Sequence, residues 1–260
     1  MISYSSGVAM QFEHARGTWR RAAMSGAGIL LCALLVGVAY LELPRWTKSG
    51  AASHAVASMG HDAPGTICPQ ELQTVELRGD SHVIGSRMST GKRAAAPYGV
   101  ILAQTLGGGV TAQLRGLGGA TAADGESRWR DTPLTGEILL LAYGTNDAAA
   151  RGWIGGKTPV PMNRYRASLL RQISGATKFG VRVALIAPPP ASSPAMMARL
   201  QPYRRALLQI GQEEGIPVFD PAEAFAECKN HEPLLSRDGL HLNEAGHKCL
   251  GRWLARRLCR

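Results

Sequence analysis

The sequence predicts an α/β sandwich built on a sheet of about five parallel strands. Three observations lead there. Short apolar runs of strand length alternate with longer stretches of helical period, the order that parallel βαβ units require. Glycine or proline stands at almost every junction between them. The residues best suited to chemistry follow strands, where open parallel sheets gather their functional groups.

The regular pattern begins at Glu71. Thr74–Arg78 alternates as a strand does and runs into Gly79-Asp80-Ser81. Tyr98–Leu106 has the spacing of an amphipathic helix and stops at Gly107-Gly108-Gly109. Val110–Leu114 reads as a second short strand, and Glu137–Tyr143 as an apolar strand of the buried kind. Asn163–Lys178 reads as a helix, with Asn163 as its N-cap and Gly180 just past its end. Val181–Ala187 is another buried strand, halted by Pro188-Pro189-Pro190. Pro194–Glu214 predicts a long helix with a basic face, ending at Gly215. Pro217–Asp220 is a last short strand and Asn243–Leu258 a closing helix. Residues 71–260 carry no repeat and no second core, so they make one domain.

The chain has 260 residues, 45% hydrophobic and 18% charged, enough apolar material for a core and too much for a disordered polymer. Lys and Arg number 29 against 19 Asp and Glu, a net charge of +10. Such a charge attracts nucleic acid, anionic lipid or an acidic polysaccharide. The positive groups are mostly single arginines, with one cluster at Arg252, Arg256, Arg257 and Arg260. No zinc finger, basic heptad region or aromatic RNA-binding pattern accompanies them, so no nucleic-acid partner is expected.

Residues 1–25 form a basic N-terminal segment. Ala27–Leu41 is an apolar run without a charge, preceded by Arg16, Arg20 and Arg21 and followed by Arg45 and Lys48. Taken with its flanks as 26–43, it approaches the roughly 20 residues of a spanning helix and is read as a transmembrane anchor. Cleavage after Ala39, or translation from Met10, would make it a signal segment and the protein secreted. Either way the domain is expected outside the cytoplasm, in the periplasm or cell envelope. Residues 44–70, rich in Ala, Ser, Gly and His, read as a flexible linker.

Cys32 lies inside the apolar run and reads as a small hydrophobe. Cys68, Cys228, Cys249 and Cys259 remain, an even number in a chain expected to leave the cytoplasm. Cys249 lies on the predicted closing helix and Cys259 directly at its end, roughly 15 Å apart and beyond disulfide reach. Two disulfides are therefore expected, Cys68 joining one of that pair and Cys228 the other. Four free thiols are the alternative.

Four short motifs carry the chemistry. Gly79-Asp80-Ser81 follows the first strand, Gly118-Gly119-Ala120 the second and Gly144-Thr145-Asn146-Asp147 the third. Asp238-Gly239-Leu240-His241 precedes the final helix. Each alone is an ordinary turn sequence. Together they supply what nucleophilic catalysis needs. A serine hydroxyl requires a base to take its proton, and Asp238 with His241 can present carboxylate and imidazole from one turn. Backbone N–H groups of Ser81 and Gly119 and the side-chain amide of Asn146 can face a developing oxyanion. Asp80, Gly144 and Asp147 are read as supports: Asp80 braces the loop and Asp147 acts as a brace or helix cap. His82 is expected to pack or to hydrogen-bond behind the site, and His247 to lie at the surface or cap a helix. His231 lies in a loop, and His54 and His61 fall in the linker. No histidine pair has metal-ligand spacing with a carboxylate or thiolate, so neither a metal nor another cofactor is expected.

These motifs resemble the four blocks of the SGNH (GDSL-type) hydrolases, over roughly Glu71 to Leu258. The resemblance implies a flavodoxin-like three-layer α/β/α sandwich, no metal, and ester or thioester hydrolysis through an acyl-enzyme. Two positions depart from the commonest pattern. His82 stands where leucine is usual, a form often seen in members acting on O-acetylated sugars. Arg115 stands where an asparagine often precedes the second block. The resemblance and the expected export point to a short-acyl esterase of carbohydrate or peptidoglycan, with an acylated glycan as substrate. The alternatives are a lysophospholipase or other lipid esterase, a sugar O-acyltransferase, and a non-catalytic polysaccharide-binding protein. Trp153, in a glycine-rich loop after the third block, is placed either to stack on a sugar or to pack on its own domain.

Overall fold

In the computed structural model of the chain, residues 67–69, 71–87, 92–148, 158–228 and 233–259 are described, all inside one compact unit, Met59–Arg260. The apolar run at 26–43 and residues 1–25 lie outside the described residues, as does all of the linker except 67–69. Among the described residues no helix is long and apolar enough to cross a membrane.

The strands are β1 (Thr74–Gly79), β2 (Ser86–Arg87), β3 (Lys92–Arg93), β4 (Thr111–Gly116), β5 (Ile138–Ala142), β6 (Arg182–Ile186) and β7 (Val218–Phe219). The helices are α1 (Tyr98–Leu106), α2 (Ala122–Trp129), α3 (Thr145–Ala148), α4 (Met162–Thr177), α5 (Pro194–Glu214), α6 (Pro221–Glu227) and α7 (Glu244–Leu258). Five strands form one parallel sheet in the order β4-β1-β5-β6-β7. β2 and β3 pair as a small antiparallel hairpin beside it.

The central strand explains the layering. Ile138, Leu139, Leu140 and Leu141 are each at most 1% exposed, because alternate side chains enter opposite cores. Leu139 and Leu141 pack with Tyr165 and Leu169 of α4 and Leu200 and Leu207 of α5. Ile138 and Leu140 pack with Leu102 of α1 and Leu250, Trp253 and Leu254 of α7. Two apolar faces covered by helices give three layers.

Most strand and helix positions follow the sequence pattern, and the departures have physical reasons. Thr74–Arg78 alternates in polarity, yet Val75 through Gly79 are all buried. Glu76 is 0% exposed and accepts from Arg78 Nε at 2.6 Å, Arg115 Nε at 3.0 Å, and Thr135 N and Oγ1 at 2.8 and 2.9 Å. Its charge is thus paired and its acceptors filled, as burial demands. Arg115, the departure from the second block, is consumed in this network. α4 starts at Met162 with Pro161 at the N-cap position, so Asn163 sits in the first turn rather than at the cap. α2 was not expected; Thr121 and Asp124 form a capping box that starts it. His247 is not at the surface. It is fully buried where α7 meets α1, and its Nδ1 accepts from the Tyr98 N–H at 3.3 Å.

Ile67 and Cys68, at the end of the expected linker, pack against the core. Arg182 donates to the Ile67 carbonyl at 2.9 Å. Cys68 is bonded to Cys259 and Cys228 to Cys249, with Cα separations of 5.0 and 6.1 Å. The pairing is one of the two left open by helix geometry, and it ties both ends of the domain together.

Candidate active site

Ser81 sits in the turn that leaves β1, at the carboxyl edge of the sheet. Asp80 Oδ1 accepts the His82 N–H at 2.9 Å, and Ser86 N–H bonds the Ser81 carbonyl at 2.9 Å, so the turn is closed from both sides. Ser81 is 6% exposed, and its Oγ lies 2.9 Å from His241 Nε2.

His241 is presented by the loop before α7. Asn243 caps that helix, accepting from Gly246 N–H at 2.8 Å, while its amide donates to the Leu235 and Pro233 carbonyls. Ser236 N–H bonds the His241 carbonyl at 2.7 Å. The Gly239 carbonyl accepts from Ser192, from its N–H at 2.8 Å and its hydroxyl at 3.3 Å. Asp238 Oδ2 lies 2.8 Å from His241 Nδ1, and Oδ1 accepts the Leu240 and His241 N–H groups, both at 2.9 Å. Burial pushes the Asp238 carboxyl up, but the bonds from Leu240, His241 and the imidazole outweigh it and hold the group below its usual range. With the ring proton on Nδ1, Nε2 accepts from the Ser81 hydroxyl.

Gly119 lies in the turn after β4, where Ala120 N–H bonds the Leu117 carbonyl at 3.1 Å. Its φ of +75° at the third turn position is the conformation that glycine adopts without steric cost. The Ser81 and Gly119 N–H groups make no hydrogen bond among the described residues, which leaves both for an oxyanion. Asn146 differs. Its amide donates to Asp80 Oδ2 at 3.2 Å and to the Ala120 carbonyl at 3.0 Å. It lies beside the expected oxyanion position with both protons engaged, so it serves as a third donor only by exchanging one of these partners.

The expected supports are buried deeper than Ser81, His241 and Asp238. Asp80 is 1% exposed, and burial pushes it up to about 7 against the His82 bond, with the Asp147 carboxylate adding to the rise. Asp147 is fully buried and accepts the Ala122 N–H, joining α3 to the start of α2; burial pushes it up to about 7 as well. At Gly144 a Cβ would meet Pro188 at 2.6 Å and the Tyr165 hydroxyl at 3.0 Å. Sequence inspection missed the parts holding these loops from behind. Arg204 of the supposed basic face is buried, bonding the Asp220 carboxylate at 2.5 and 2.6 Å and the Pro188 carbonyl. Its signal was Asp220 after an apolar run, which gave no hint of the partner. Trp153 and its glycine-rich loop, and His231, lie outside the described residues, as do His54 and His61. Among the described residues no group of His, Cys, Asp or Glu is arranged to hold a metal ion.

A three-layer sheet with serine, imidazole and carboxylate in hydrogen-bonded series at its carboxyl edge defines the geometry of a serine hydrolase. The chain belongs to the GDSL-like lipase/acylhydrolase family, whose model matches residues 77–249, and it is an ester-hydrolysing enzyme. Its fold is similar to that of a lipase/acylhydrolase from Enterococcus faecalis, at 22% identity and TM-score 0.59, covering 71% of this chain and 94% of that one. An acetylxylan esterase from Geobacillus stearothermophilus matches at 20% identity and TM-score 0.60, covering 75% and 96%. An aryl esterase from M. smegmatis matches at 19% and 0.54, covering 71% and 97%. No curated protein matches the chain.

Proposed function

We propose that the domain is an exported serine esterase that removes short acyl groups, O-acetyl above all, from a carbohydrate or peptidoglycan. The observation that carries the esterase assignment is the unbroken series Ser81 Oγ, His241, Asp238 at 2.9 and 2.8 Å. Ser81 Oγ attacks the acyl carbon while His241 Nε2 takes its proton and Asp238 holds the resulting imidazolium. The tetrahedral oxyanion is met by the N–H groups of Ser81 and Gly119, with Asn146 as the third donor once its amide turns. Collapse expels the sugar alcohol, which takes the proton from Nε2. Water then repeats the sequence on acyl-Ser81 and releases the acid.

Three features favour a short acyl group on an envelope polymer. His82 follows the nucleophile, and an esterase of acetylated xylan shares the fold. Two disulfides suit an oxidising compartment. The apolar run at 26–43 would hold the domain at a membrane, near cell-envelope glycans. The test compares p-nitrophenyl esters from acetate to palmitate on the full chain and its Ser81→Ala variant. Ser81-dependent turnover that falls steeply beyond butyrate is expected. Turnover rising with chain length would replace this reading with a lipid esterase. Turnover independent of Ser81 would overturn the nucleophile.

A further inference from the structure

His82 is a buried side chain with two polar atoms left without partners among the described residues, and it stands next to Ser81. It is 3% exposed, and neither ring nitrogen has a hydrogen-bond partner. Burying an imidazole in this way costs stability that an apolar side chain of similar size would not. Such local violations collect at functional sites. The ring stacks on His241, with centroids 5.2 Å apart and planes at 23°.

We propose that His82 is a positioning residue for the catalytic base, its ring fixing the plane of the His241 imidazole and its π face stabilising the imidazolium formed when Ser81 gives up its proton. The inference rests on His241 acting as that base. A neutral imidazole is an electron-rich ring, and a cation held against such a face is stabilised. Burial, reinforced by His241 and His247, holds the His82 ring down to about 3, so it stays neutral whenever His241 cycles. The titratable groups facing it are His241 and Asp238 from the catalytic loop and His247 from α7. Tyr98, Tyr143 and Asp80 line the small cavity beside it. Replacing His82 leaves all of these in place, so a difference between variant and wild-type profiles isolates the ring. His82 donates no group to the substrate, which separates this role from nucleophile, base and oxyanion donor.

The experiment measures kcat and KM for p-nitrophenyl acetate against pH, in the full-length wild type, His82→Leu and His82→Phe, with thermal unfolding to verify folding. A cation–π contact of ordinary size corresponds to about two- to fivefold in rate and about half a pH unit in the acid limb. His82→Leu is expected to lower kcat by that factor with KM unchanged, and to move the acid limb to lower pH. His82→Phe, which keeps an aromatic face, is expected to restore the limb. A folded His82→Leu protein with an unshifted limb overturns the proposal, and so does a shift to higher pH. If His82→Leu does not fold, His82→Gln takes its place under the same criteria. Loss of the underlying esterase reading is recognised separately, as wild-type turnover insensitive to Ser81→Ala and His241→Ala. In that event the role proposed for His82 falls with the esterase reading, whereas an unshifted limb in a Ser81-dependent enzyme overturns the role of His82 alone.

Discussion

Replacing Asp238 with asparagine separates the orienting work of this residue from its structural work. Asp238 accepts three bonds, two backbone N–H groups on Oδ1 and the His241 ring on Oδ2. In Asp238→Asn the remaining oxygen still serves both backbone donors, so the loop stands. The amide nitrogen takes the other position and donates to Nδ1, which moves the ring proton to Nε2. Nε2–H then faces Ser81 Oγ and has no lone pair for its proton. A wrong tautomer of this kind costs serine triads about 10⁴ in kcat. Asp238→Ala removes the same orientation and also strands the Leu240 and His241 N–H groups. At about 1 kcal/mol for each lost bond the alanine variant gives up about 2 kcal/mol. For a domain of this size that is about 4–8 °C in Tm. The two variants should be equally inactive on p-nitrophenyl acetate, and the alanine form alone should melt early by circular dichroism. An asparagine variant retaining more than a tenth of wild-type kcat would refute the assignment of Asp238. Early melting of both variants would show that the carboxylate mainly holds the loop.

The ion network and the disulfides give two further tests. Glu76→Gln leaves Arg78 and Arg115 facing an uncharged partner at side-chain exposures of 8% and 17%, and should cost about 3–5 kcal/mol at neutral pH. Burial pushes the Glu76 carboxyl up, but bonds from Thr135 and Arg78 more than offset this, so its folded value lies below the unfolded one. The wild type's advantage is therefore full above the unfolded pKa and shrinks as pH falls through the folded value; denaturant midpoints showing a gap that widens in acid would contradict this. In the chain-entropy relation the Cys68–Cys259 bond, spanning 191 residues, stabilises by about 5 kcal/mol and Cys228–Cys249, spanning 21, by about 3. Cys68→Ser should thus lower Tm more than Cys228→Ser, and four titratable thiols in the untreated protein would remove the basis for both values.

The parts of this fold legible in the sequence are those whose physics is local. Ile138–Leu141 reads as a strand buried on both faces because its apolar run is short and is bounded by Gly136 and Gly144. Pro194 and Gly215 mark both ends of α5, one fixing φ at the helix start and the other taking the left-handed cap. The Cys249–Cys259 exclusion needed nothing beyond helix rise. The grouping of the candidate residues was legible for the same reason: Asp238 and His241 lie three residues apart, and Ser81 and Gly119 each stand in a turn whose sequence shows it.

What stayed hidden depends on partners distant in the chain. Glu76 looks like an exposed strand residue until Arg115, 39 positions away, is placed beside it. Arg204 looks like part of a basic surface until the Pro188 carbonyl and Asp220 close on it. Asn146 shows the limit most sharply, because its residue type and spacing are right while its protons are engaged by Asp80 and Ala120. A motif fixes which atoms approach the reaction centre; the long-range contacts decide which of their hydrogen bonds are already used. In the proposed mechanism the oxyanion therefore competes with the Asp80 carboxylate or the Ala120 carbonyl for the Asn146 amide. Asp80, lifted towards neutrality by burial, is the weaker competitor once it carries a proton. In that mechanism Asp80, which braces the Ser81 turn, also sets how readily the Asn146 amide is released.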